Sequence, residues 1–317
     1  MTVRVVSLIP SATEIVCALG MADTLVGRSH CCDYPEEVLD LPVLSSPKVD
    51  PTAEAGRIDA EVRSVMASGE SVYHIRADEL ARLRPDVIVT QDHCQACAVS
   101  LRDVRRAAAC EELAGARVCT LHPQDLDSIC RDFVRVAEAL GVEKRGRRLA
   151  ASFRTRLEAV RKKVHARPPV RVVLLEWFDP PMVAGGWMPA LARAAGAEPL
   201  IVGDERDFVQ VEWSDIEAAR ADAVIVMPCG FGVARSLAEL ERIGSDAAVA
   251  RALAAPLGCW IVDGDALFNR PGPRLADSVE LLAALLHPDV AEGDLGRFGG
   301  YWARWRVPHP GEPAREG

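Results

Sequence analysis

The chain has 317 residues, 49% of them hydrophobic and 26% charged, and a formal net charge of −9. That balance excludes a disordered chain and argues against a nucleic-acid surface, which needs a clustered basic face. The length exceeds what one core usually organises and suits two lobes of ordinary size.

The segment VRVVSLI at 3–9 predicts a first strand that runs straight into the polar turn IPSATE. The start of the chain therefore reads as core rather than as an export signal. No stretch approaches the roughly 20 apolar residues of a membrane span. A cytoplasmic protein without membrane insertion is the expectation. A helix is predicted over 11–20, with Ser11 as N-cap, Glu14 completing a capping box and Gly20 ending it. TLVGRS is a second strand, and the proline-bearing stretch 33–50 an irregular crossing. A helix over 52–68, the strand SVYHI, a helix over 77–83, the strand DVIVTQ, a helix over 99–112 and the strand ARVCTL come next. Residues 124–166 read as helical almost throughout. Ile129, Phe133, Val136, Ala137 and Leu140 keep the 3.6-residue period, Gly141 breaks it, and Arg167-Pro168-Pro169 ends it. The alternation then resumes with VRVVLLE, a helix over 187–196, EPLIV, a short helix over 213–219, DAVIVM, helices over 236–242 and 245–254, CWIVDG and a helix over 273–286. The tail beyond His287, rich in Gly, Pro, Trp and Arg, is expected to wrap the surface or to be partly disordered.

Alternating strands and helices predict an α/β fold of two doubly wound parallel-sheet lobes bridged by a long rigid α-helix. The predicted boundaries are an N-terminal lobe at 1–122, a helical connection at 123–168, a C-terminal lobe at 169–290 and a tail at 291–317. The lobes echo each other. VRVVSLI is matched by VRVVLLE, RPDVIVTQ at 84–91 is matched by RADAVIVM at 220–227, and a cysteine comes after each second strand, Cys94 and Cys229. Ligands of open α/β sheets bind beyond the carboxyl ends of the strands, so the loops there carry the candidate residues.

Ten cysteines are many for such a chain. In a reducing compartment they are not a disulfide framework. Cys17, Cys110 and Cys130 fall in helical patterns and Cys119 and Cys259 in or beside strands, where a free thiol fills core space. Cys31, Cys32, Cys94, Cys97 and Cys229 fall in strand-end loops. The Cys94-x-x-Cys97 spacing lets two thiolates reach one metal ion and also suits redox exchange. Cys32, Cys94, Cys97 and Cys229 together supply four thiolates, enough for zinc or an iron–sulfur cluster, with His30 or His93 able to replace one. The competing reading is small half-buried residues that hold no metal.

Ser11, Thr13 and Glu14 place polar groups at a helix N-terminus, a ready site for an anion or amide; plain capping competes. Trp177 and Trp187 lie in loops beyond strand ends and suit stacking on a flat ring, whereas Trp213 and Trp260 read as core. Glu176 faces a ligand or caps a helix. Phe268 can pack on a ligand face while Asn269 and Arg270 bond its polar edge, or the loop can simply anchor the last helix. Nucleophile-elbow, phosphate-loop and HExxH signatures are absent.

Through SLIPSATEIVCALG, GRSHCCDYP, LRPDVIVTQ and DGDALFNRPGPR, the chain resembles helical-backbone (class III) periplasmic-type substrate-binding proteins. Among these it is most similar to the cobalamin-binding proteins of ABC importers and their unexported relatives. The resemblance spans about residues 3–288. It implies a small-molecule ligand in the cleft between lobes, modest hinge motion and no catalysis. The expectation is a cytoplasmic binding protein for a corrinoid (cobalamin-like) or another bulky metal-containing ligand. Trp177 and Trp187 would lie on one side of it, and the Ser11–Glu14 and His30–Tyr34 loops on the other. The alternative is a metalloprotein or enzyme with a cysteine-ligated zinc ion or iron–sulfur cluster in the same cleft. Docking to an ABC transporter is implied by the resemblance and disfavoured by the missing export signal.

Overall fold

The computed structural model describes residues 3–92, 99–109, 113, 115–202, 208–291 and 295–306. The chain forms two compact units. The first holds residues 1–154 together with Pro271–Pro273, and the second holds the remainder.

The first unit contains β1 (Val5–Ser7), α1 (Pro10–Ala18), β2 (Leu25–Arg28), β3 (Ser45–Pro47), α2 (Ala55–Ala67), β4 (Tyr73–Ile75), α3 (Ala77–Leu83), β5 (Val87–Gln91), α4 (Leu101–Ala107), β6 (Arg117–Leu121), α5 (Leu126–Ala139) and the start of α6 (Glu143–Val164). Its parallel sheet runs β2-β1-β5-β6. Every residue of β1 and β5 is buried, as a sheet covered on both faces requires. Val6, Leu8 and Ile88 form one core with Leu80 of α3 and Val104 of α4. The strand SVYHI does not enter this sheet: β4 pairs antiparallel with β3 in a separate ribbon. The first helix begins at Pro10, with Ile9 as N-cap and no side-chain cap. Proline at the first helical position suits its fixed φ and missing N–H, so the predicted Ser11 capping box does not form. Asp125 caps α5 instead, in a reciprocal box with Ser128. Between α5 and α6, Gly141 takes a positive φ of 72°.

The second unit contains the rest of α6, β7 (Val170–Phe178), β8 (Pro181–Val183), α7 (Met188–Ala194), β9 (Ala197–Pro199), β10 (Val209–Gln210), α8 (Trp213–Ala219), β11 (Ala223–Val226), α9 (Val233–Ile243), α10 (Ala247–Leu253), β12 (Gly258–Val262), α11 (Leu275–Leu286), α12 (Pro288–Ala291) and β13 (Trp302–Trp305). β9, β7, β11 and β12 are mutually parallel. The edges depart from the all-parallel expectation. β8 folds back on β7, β10 pairs antiparallel with β8, and β13 pairs antiparallel with β12. Residues 302–305 of the predicted loose tail are thus an edge strand, fixed by Trp302 5.7 Å from Trp260 and by the Arg304 guanidinium 5.1 Å above the Trp260 ring.

The internal repeat has a structural cause. The Asp86 carboxylate accepts the Arg4 backbone N–H at 2.7 Å, while Arg4 Nη2 donates to the Leu83 carbonyl at 2.8 Å. In the second unit, Asp222 accepts the Arg171 N–H at 2.9 Å and Arg171 Nη1 donates to the Arg220 carbonyl at 2.9 Å. Each pair ties the amino end of one central strand to that of its neighbour.

Candidate functional site

In the first unit the chain leaves β1 towards β2 and leaves β5 towards β6, so the strand order reverses between β1 and β5. In the second unit β7 leads to β9 and β11 leads to β12, so it reverses between β7 and β11. Such switch points, at the carboxyl ends, are where doubly wound sheets bind ligands.

Beyond β1 lies the start of α1. Ser11 is buried and its Oγ has no hydrogen-bond partner among the described residues. Glu14 is also buried. Thr13 does not serve a ligand as predicted: it is fully buried, and its Oγ1 donates to Ser7 Oγ at 2.8 Å, which donates to the Ile9 carbonyl at 3.0 Å. Beyond β2, Arg28 clamps the loop from inside. Its Nη1 donates to the Cys32 carbonyl at 2.9 Å and its Nη2 to the Leu39 carbonyl at 3.0 Å. Within that loop Tyr34 is exposed. The His30 ring lies 5.2 Å from the Tyr73 ring, with Nδ1 2.8 Å from Ser45 Oγ. Burial, aided by the Arg28 charge, pulls the His30 pKa below the ordinary imidazole value. The Cys32 thiol is fully buried, 3.1 Å from Ser29 Oγ and 3.9 Å from the Ser7 carbonyl. Cys94 and Cys97 lie outside the described residues. No group of three or more His, Cys, Asp or Glu side chains that could hold a metal ion occurs among the described residues.

Two residues that carry no predicted role sit beyond β5 and β6. His122 Nδ1 is 2.6 Å from Asp92 Oδ1, and the His122 backbone N–H donates to Asp132 Oδ2 at 2.9 Å. Burial pushes the Asp132 carboxyl up to about 6, against the opposing pull of Arg135. The signal that marks His122 in the sequence is its place directly after the strand ARVCTL; the clustered cysteines point elsewhere.

In the second unit the β7 end carries Glu176 and Trp177. The Trp177 ring lies 5.1 Å from the Phe231 ring, and the Arg235 guanidinium sits 4.7 Å from the Phe231 centroid. Phe231 comes after β11, and Arg235 lies in the first turn of α9. Neither was predicted, because a lone Phe and Arg after a strand carry no motif. Cys229 is half-buried, and its N–H donates to the Glu176 carbonyl at 3.2 Å.

The remaining candidates of this unit hold structure instead. Trp187 is buried and its indole N–H donates to the Phe268 carbonyl at 3.1 Å. Phe268 is fully buried, inside the π-helical turn Gly264–Phe268. Asn269 Nδ2 donates to the Met227 carbonyl at 3.0 Å and to the Gly264 carbonyl at 2.9 Å, leaving neither amide hydrogen for a ligand. Arg270 is buried with Nη2 3.1 Å from Asp265 Oδ2. The turn needs glycine at its start: a Cβ on Gly264 would stand 2.2 Å from the Pro228 carbonyl oxygen. Trp187, Phe268 and Asn269, read as ligand contacts, are therefore corrected to loop anchors.

The family model described as periplasmic binding protein matches residues 5–255. The chain belongs to the periplasmic binding protein family. This binding protein is 25% identical over 296 residues to the uncharacterized ABC transporter substrate-binding lipoprotein YvrC of Bacillus subtilis, covering 90% of this chain and 81% of that protein. It is 22% identical over 290 residues to the vitamin B12-binding protein of Vibrio cholerae, covering 89% and 88%. Among solved structures, a periplasmic heme binding protein from Pseudomonas aeruginosa superposes with a TM-score of 0.69 at 22% identity, over 92% of this chain and 94% of that one. The periplasmic vitamin B12 binding protein BtuF of Vibrio cholerae superposes with a TM-score of 0.63 at 20% identity, over 91% and 97%. The binding protein shares their α/β fold, and a ligand-binding role comes with the family. No helix among the described residues is long and apolar enough to cross a membrane.

Proposed function

We propose that this binding protein takes a metal-bearing tetrapyrrole, a corrinoid of the cobalamin type, at the carboxyl ends of its strands. The observation that carries the reading is half-buried Trp177 at the second unit's switch point, backed by the buried Phe231 ring 5.1 Å away, with the Arg235 guanidinium over that ring and paired with Glu239. The Trp177 ring offers an apolar, polarisable face for a flat macrocycle, and the guanidinium close by meets the polar arms of its rim. Half-buried Trp177 keeps surface to offer; its own indole N–H is engaged by the Asp179 carbonyl at 3.1 Å. The relatives named for vitamin B12 support a corrinoid.

A heme is the second reading, and Arg235 favours it. Heme carries carboxylates, whereas cobalamin's corrin rim carries amides, and charge-assisted bonds to guanidinium are about twice as strong as neutral ones.

The test is a titration with cyanocobalamin and, separately, hemin, monitored by tryptophan fluorescence. Saturable quenching by cobalamin is expected. Trp177→Ala weakens that binding about tenfold, the order of one aromatic stacking contact. Arg235→Ala weakens hemin more than cobalamin if heme is the ligand. Saturable binding of neither macrocycle overturns the proposal.

A further inference from the structure

We infer that the groove between α3 and α4 of the first unit binds a small, multiply phosphorylated molecule, held by Arg82, Arg84 and Arg106. The site lies wholly within that unit and does not depend on the tetrapyrrole reading.

Three observations meet in this groove. First, it is a cavity of about 1050 Å³, the scale of a small-molecule site. It stays open because its helical walls carry alanine: Ala77 and Ala81, one turn apart on α3, and Ala107 on α4. Second, its charge runs against that of the chain. Lys48, Arg82, Arg84, Arg102 and Arg106 line it, in a protein of net charge −9. Two of the three acids that line it are engaged: Glu70 pairs with Lys48 at 3.0 Å, and Asp103 accepts the Ser100 hydroxyl at 2.7 Å. Arg102 is engaged too, its Nη2 donating to the Gly69 carbonyl at 2.9 Å. The side chains of Arg82, Arg84 and Arg106 have no hydrogen-bond or ion-pair partner among the described residues, and of the lining acids Asp78 alone is left to offset them. One exposed arginine needs no partner, but three facing one concavity repel each other until an anion enters. Third, these three gather at one end. Arg82 and Arg106 stand in the last turns of α3 and α4, and Arg84 ends α3 just before β5. That places them towards the amino ends of the strands, away from the switch point.

Guanidinium forks match phosphate oxygens bidentately, and a cleft lined by one sign of charge concentrates its counter-ion. Three unneutralised guanidiniums on two walls call for several negative charges on a compact body, which two or more phosphate groups supply. The cations line a concavity rather than a flat face, so the phosphates belong to a soluble molecule and not to a bilayer surface.

The full chain is titrated calorimetrically with inorganic triphosphate at low ionic strength. Saturable binding of one triphosphate per chain is expected, against the general repulsion of a negatively charged protein. Arg82→Gln and Arg106→Gln should each weaken it about tenfold, the order of one charge-assisted hydrogen bond, and the double variant should abolish it. All three should keep the wild-type far-UV circular dichroism, since both side chains are exposed. Arg57→Gln, an exposed arginine of α2 outside the groove, should bind as the wild type does. The absence of saturable binding by the wild type, or binding that survives in the double variant, would overturn the assignment. A second arm sediments the protein with phosphatidylglycerol vesicles. Retention on vesicles that is lost with the same two arginines, without binding of free triphosphate, would also overturn it by making the groove a lipid-headgroup contact.

Discussion

Arg84 and Arg220 occupy the same place in their units, the residue that ends a short helix just before an Asp and a central strand. Both have left-handed backbones, with φ of 44° and 48°. Residues with a Cβ bear about 1–2 kcal/mol there. The contact seen at Arg220 is made by its carbonyl, which accepts from Arg171. Arg84→Gly and Arg220→Gly are therefore expected to raise stability by about 0.5–1 kcal/mol each, after glycine's extra unfolded-state entropy is subtracted. Urea denaturation checks this, and the two gains should add because the sites lie in different units. No gain in either variant would mean that the arginine side chains hold their turns. The repeated Arg-x-Asp was legible as a pattern, yet its meaning was not, because the pairing of Asp86 with the Arg4 N–H is long-range. The same limit explains the misread site residues. A sequence places Trp187 and Asn269 in loops near strand ends, but it cannot say that the Phe268 and Met227 carbonyls take up their N–H groups.

At the scale of elements, the alternating helices and central parallel strands were legible and the antiparallel edge strands were not. The helices α3 and α8 fall on the predicted bounds, and strands β5 and β11 lie within theirs. β8, β10 and β13 have two to four residues and lack the continuous apolar run that marks a buried central strand such as β11. The crossing of α5 and α6 shows propensity and packing in conflict. Gly146 lies inside α6, where alanine would be favoured by roughly 1 kcal/mol. A Cβ at that position, however, would stand 2.5 Å from Ala137 Cβ and 2.8 Å from the Phe133 carbonyl oxygen of α5. Both contacts are far inside van der Waals range, and one is to backbone that cannot swing away. Gly146→Ala is expected to destabilise the protein by about 1–3 kcal/mol despite the helix propensity. A rise in the urea midpoint would show that the two helices separate at little cost.

At the scale of the molecule, the division into units supplies its own probe. All six tryptophans lie between residues 177 and 305, hence in the second unit, so tryptophan fluorescence reports on that unit while far-UV circular dichroism reports on both. Two units with separate cores need not unfold in one step. Asp132 makes the first unit respond to pH. Its carboxyl is raised from 3.8 to about 6, first by burial. Between those values the folded state binds more protons than the unfolded state, so stability falls as pH rises through this window and levels off above it. The loss is on the order of 3 kcal/mol. The fold retains this buried charge where it holds the His122 N–H at the end of β6. From pH 4.5 to pH 7.5 the dichroism midpoint should decline relative to the tryptophan midpoint. Asp132→Asn keeps an oxygen acceptor for His122 without the charge. At pH 7.5 it should raise the dichroism midpoint, abolish the slope and leave the tryptophan midpoint in place. An unchanged slope in that variant would assign the pH response to other groups, and a parallel shift in both signals would show that the two units unfold as one.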